Sequence, residues 1–114
     1  MCRATRARFV CGVAGRDDLR EPIGAIDLVT LLSVYHHVDD REGLLLLLRD
    51  LGAPYLLAEF ATQDRYYAAR GGLARELRHI ADATGYRHRT SLGVTRDYRR
   101  PLVLFSREPL GAIT

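Results

Sequence analysis

An α/β fold, with a mostly parallel sheet ending in an antiparallel hairpin, is predicted by three observations. Residues 26–32 (IDLVTLL) form a short, nearly continuous apolar run with β-branched members, which reads as a strand covered on both faces. Residues 55–60 (YLLAEF) form a second such run, separated from the first by a leucine-filled helical segment that stops at Gly52. Strand, helix and strand at this spacing make a βαβ unit, whose strands run parallel with a right-handed crossover. The last third then changes to a period of two, His88, Thr90, Leu92 and Val94 alternating with Arg87, Arg89, Ser91 and Gly93, before a final apolar run at 102–105.

Each element has its own local reason. Residues 8–12, centred on Phe9, Val10 and Cys11, make a plausible first strand, and Gly12 and Gly15 after it allow a sharp turn or a close backbone approach to a ligand. Asp17, Asp18, Arg20, Glu21 and Pro22 form a polar connection of about the minimum length for a parallel crossover. At the carboxyl end of the strand at 26–32 come Ser33, Tyr35, His36, His37, Asp39 and Asp40, where open α/β sheets place their ligands. Asp39 is expected to cap the following helix, with Glu42 completing a capping box. Leu44 through Leu48 and Leu51 are too many leucines for one narrow stripe, so more than half of that helix should be covered.

Glu59, near the end of the second strand, belongs to the same rim as Ser33 and His37 if the strands are parallel, and must reach solvent or a partner there. Tyr66 and Tyr67 lie in a segment able to wall a pocket over that rim, which Gly71 and Gly72 interrupt. Leu73, Leu77, Ile80 and Ala81 predict an amphipathic helix with Arg75, Arg78 and Asp82 outside, ending at Gly85. With no helix between them, the strands at 88–94 and 102–105 should pair as an antiparallel hairpin, with Pro101 tolerable at the first position of its strand.

The chain has 114 residues, 47% of them hydrophobic, enough for one domain spanning 1–114 with one core. Its net charge of +3 comes from 17 arginines and no lysine against 14 acidic residues. That balance favours anions mildly and falls short of a nucleic-acid signature; the cluster Arg96, Asp97, Tyr98, Arg99 and Arg100 could touch an RNA backbone, but Asp97 breaks it. Cys2 and Cys11 have no ligand-like spacing, and Leu44 to Leu48 is far too short to cross a bilayer, so a cytoplasmic protein without a membrane segment is expected. No metal site is expected either, because His36, His37, Asp39 and Asp40 are too close in sequence to converge on one ion without a distant partner.

Taken together, RFVCGVAGRDDL, IDLVTLLSVYHHV, YLLAEF and LGVTRDYRRPLVLF resemble the C-terminal portion of a class I S-adenosylmethionine-dependent methyltransferase. The resemblance implies a partial Rossmann-like fold whose last two strands pair antiparallel at one edge. It implies S-adenosylmethionine as cofactor, with Val13 and Ala14 beside the adenine, and Ser33, Val34 and Tyr35 passing under it. The family's acidic-Gly-x-Gly-x-Gly turn and its ribose-holding acid do not occur in this sequence. A truncated domain is therefore expected, either a remnant or a half that borrows strands from a partner chain or a second copy, with weak cofactor binding when alone. The acceptor is expected to be a small molecule rather than RNA. Methyl transfer needs alignment and, for a hydroxyl or amine acceptor, a base; His36, His37 and Glu59 are the candidates. The alternative is a noncatalytic α/β module that pairs through an exposed sheet edge.

Overall fold

The structure is a computed structural model and describes residues 25–61, 71–96 and 99–110. The predicted strand at 8–12, the turn with Val13 and Ala14, and the segment with Tyr66 and Tyr67 lie outside the described residues, as do Asp97 and Tyr98. Strand β1 (Leu28–Leu32) is followed by a single 3-10 turn (Tyr35–His37), helix α1 (Arg41–Leu51), strand β2 (Tyr55–Glu59), helix α2 (Leu73–Thr84), and strands β3 (His88–Val94) and β4 (Pro101–Ser106). They form a small α/β domain with a four-stranded mixed sheet of order β1-β2-β4-β3.

The predicted βαβ unit is present. β1 and β2 are parallel, with Leu28 opposite Tyr55 and Leu32 opposite Glu59. β4 runs antiparallel to both its neighbours, β2 and β3. Among the described residues the sheet is therefore mixed rather than mostly parallel, since one of its three pairings is parallel and two are antiparallel. The cause is β4, which returns from a short loop and inserts between β2 and β3 instead of extending the hairpin outward.

One face of the sheet carries the core. Leu56, Ala58, Val103 and Phe105 pack there against Leu44, Leu45 and Leu48 of α1 and Ile80 of α2, with Val29 and Leu31 at the margin. Phe60 sits edge-on to both Tyr35 and Phe105, ring centroids 6.0 and 6.5 Å apart, an arrangement aromatic rings favour. One expectation needs correction. β1 alternates, with Leu28 and Leu32 half exposed at 50% and 52%, because among the described residues α1 and α2 cover one face and β1 pairs only with β2. α1 is covered over more than half of its circumference, as its leucines lead one to expect: Leu44, Leu45 and Leu48 are buried and Leu47 and Leu51 half-buried, while Glu42, Leu46, Arg49 and Asp50 form one exposed stripe.

The start of α1 also differs from expectation. Asp40 rather than Asp39 is the N-cap, its carboxylate accepting from the Gly43 N–H at 2.9 Å. The 3-10 turn and the extended Val38 use one more residue than a direct strand-to-helix turn would, so the helix begins one position later. Gly43 then stands where a capping box needs Glu, and Glu42 instead faces His79 of α2 at 2.6 Å. The glycine stops are as read: Gly52 and Gly85 are both left-handed, at φ 66° and 84°, and donate to Leu48 and Ala81. In β3 the alternation is broken by a bulge between Ser91 and Val94, which leaves Leu92 and Val94 exposed.

Asp40→Ala should lower unfolding free energy by about 1 kcal/mol in urea titrations. Asp39→Ala should change it by less than about 0.5 kcal/mol, as for an ordinary surface position.

Candidate functional site

The parallel register fixes where the polar residues go. Because Leu32 pairs with Glu59, the chain leaving β1 meets the end of β2 immediately, and the Ser33 N–H donates to the Glu59 carbonyl at 3.2 Å. The Ser33 hydroxyl also donates to the Glu59 carboxylate. Ser33 has φ 58°, a left-handed conformation costly for a residue with a Cβ, and this double attachment holds it there. Val34 to Val38 then curl into the 3-10 turn, closed by His37 N–H to Val34 at 2.9 Å and pinned by Arg41, which donates to the Val38 carbonyl at 3.1 Å.

From that turn Tyr35 points inward and His37 outward, while His36 is half-buried with its Nδ1 shielded from solvent. Tyr35 is buried, and its hydroxyl donates to Glu76 of α2 at 2.7 Å. Glu76 is itself only 6% exposed, so this bond is what makes a carboxyl tolerable in that position. The rings of His36 and His37 lie 4.0 Å apart. Burial lowers the His36 pKa below its ordinary 6.5, and the neighbouring His37, Arg100 and Arg41 lower it further. His36 is thus a neutral imidazole at neutral pH, able to accept a proton. Arg100 reaches this rim because Phe60 N–H bonds to the Pro101 carbonyl at 3.0 Å, carrying the β3–β4 loop to the end of β2.

Of the predicted site residues, the structure brings Ser33, Val34, His36, His37 and Glu59 to one rim of the sheet and turns the Tyr35 side chain into the core. A cleft of about 600 Å³ opens on the helix side of this rim, between the first turns of α1 and α2, lined by Tyr35, Asp40, Glu42, Arg75, Glu76 and His79 among others. The predicted catalytic residues do not line it. Among the described residues no cluster of His, Cys, Asp and Glu is arranged to hold a metal ion, and no helix is long and apolar enough to cross a membrane. The sequence does not single out Glu76, and it offers Arg100 only as part of a cluster that could touch an RNA backbone, not as a rim residue. Glu76 had a signal: it sits between Leu73, Leu77 and Ile80 on the buried face of α2, where a charge is out of place. The place of Arg100 beside His36 had no sequence signal, since only the β2–β4 pairing puts it there.

The chain matches no family model and no curated protein. Its functional reading therefore rests on its own residues.

Two outcomes follow from this geometry. Tyr35→Phe should destabilise the fold by about 1–3 kcal/mol by leaving the Glu76 carboxyl without its buried donor, measured by chemical denaturation. Because the folded His36 binds its proton less readily than the unfolded one, its contribution to stability is present above pH 6.5 and is lost as pH falls below it. Thermal melts between neutral and mildly acid pH should thus show a smaller acid loss in His36→Gln than in the parent.

Proposed function

We propose that this chain is a methyltransferase-like domain with a partial Rossmann-like sheet, using S-adenosylmethionine at the rim formed by the ends of β1 and β2. The observation that supports it most is the parallel register of these strands, which brings Ser33, Val34, His36, His37 and Glu59 to one rim of the sheet. The antiparallel closing pair β3–β4 at one edge of the sheet is consistent with it. The described residues fit the lower part of such a site: the backbone of 33–35 as a floor, with Glu59 fixing its shape. When bound, the cofactor supplies an electrophilic methyl group on a sulfonium. His36, neutral beside two arginines, would take the proton from a hydroxyl or amine acceptor of a small molecule, and His37 would orient it. The family's glycine-rich turn and ribose acid have no counterpart in the sequence, so the isolated chain should bind the cofactor weakly.

The test is an NMR titration of the chain with S-adenosylmethionine. The expected result is fast-exchange shifts concentrated on the amides of Ser33 to His37 and of Glu59 and Phe60. Shifts scattered elsewhere, or no shifts at millimolar cofactor, reject the reading.

A second reading, a noncatalytic module that pairs with another chain or a second copy, is favoured by β1. Among the described residues it has one neighbouring strand, and it carries the half-exposed Leu28 and Leu32. If pairing through β1 is the function, Leu28→Lys with Leu32→Lys should abolish any concentration-dependent association seen by light scattering.

A further inference from the structure

We propose that the groove between the end of α2 and the start of β3 binds the phosphate backbone of a single-stranded nucleic acid, independently of the rim site. The groove is open, with a volume of about 800 Å³, and Arg78, Asp82, Arg87, His88, Arg89 and Thr90 contribute to its lining. Three arginines thus face one aspartate. All three arginines are exposed, and among the described residues none of them is engaged in an ion pair. Arg87 and Arg89 are two positions apart along an extended segment, which puts them on one side about 7 Å from each other. Arg78 comes from the neighbouring helix, so the three arginines approach the groove from two elements.

The separation of Arg87 from Arg89 along the extended segment favours a ligand with more than one phosphate. A single phosphate is held by converging donors, commonly a set of backbone N–H groups at a helix N-terminus. This groove lies instead at the C-terminal end of α2, where free carbonyls carry the negative end of the helix dipole and the surrounding arginines offset it. Separated planar forks suit a chain of phosphates, each taken by one arginine. Arg107 strengthens the positive field. Its guanidinium stacks 4.6 Å from the Tyr86 ring centroid, its Nη1 lies close to where a side chain on Gly85 would begin, and its Nη2 is buried with no hydrogen-bond partner among the described residues. Tyr86 itself is buried, its hydroxyl bonded to the Ala53 carbonyl at 2.8 Å, so it offers no face for a base. Recognition would therefore be of backbone charge, without sequence preference.

The test is fluorescence anisotropy of a labelled oligothymidylate of about 16 nucleotides, the upper range for a small single-strand binder. Three phosphate contacts predict a log–log salt slope near about −2, at roughly −0.7 per contact for single strands. Arg87→Gln with Arg89→Gln should reduce the slope to about −0.7 and weaken binding at low salt at least tenfold, with an unchanged thermal midpoint because both side chains are exposed. Arg49→Gln, outside the groove, should leave the slope unchanged. Equal losses in the two variants, a salt-independent signal, or tighter binding to phosphatidylserine vesicles or polyglutamate than to the oligonucleotide would overturn the proposal.

Discussion

The register of one parallel strand pair governs the rest of this structure. With Leu32 opposite Glu59, the chain leaves β1 at the level where β2 ends, and a leucine-faced helix of three turns bridges the two. A shift by one residue would turn Leu56 and Ala58 away from the helices and move Glu59 into the core layer. Burial on the helix side and polarity at the rim are therefore one constraint. Leucines 44, 45 and 48 fix the register, and the register brings Glu59 to Ser33.

A second polar contact ties that rim to the far helix. The 3-10 turn is short and exposes the His37 imidazole, yet it is held by a phenol that passes through the apolar layer to Glu76. Such a bond contributes little net stability compared with the same space filled by apolar side chains, but it is costly to break from one side. It fixes the geometry of α2 relative to the residues following β1 more sharply than apolar packing alone, which is non-directional.

Much of the fold was legible in the residues. The two apolar runs, the leucine helix, and the stops at Gly52 and Gly85 follow from patterns a few residues long, and β3 has the span that its alternation gives. The errors concern features that depend on neighbours. The position of β4 between β2 and β3 is a choice among edges that a local pattern does not encode. Coverage of both faces of β1 was inferred from its composition, whereas the alternating exposure of Leu28, Thr30 and Leu32 reflects which face the two helices occupy. At the rim, the meeting of Ser33 with Glu59 could be derived from a parallel pair, but Tyr35 turning inward required knowing that Phe60 and Glu76 wait for it.

The strand order bears on how the chain is made. β4, the last of the described strands in the chain, occupies an interior place in the described sheet and supplies hydrogen bonds to strands on both sides. During synthesis β1, α1 and β2 can dock as soon as they emerge, whereas β3 has nothing to add to until residues 101–106 follow it out of the ribosome. Completion of the sheet is thus withheld until residues 101–106 have emerged, and the exposed flank of β2 must stay shielded from other nascent chains for that interval.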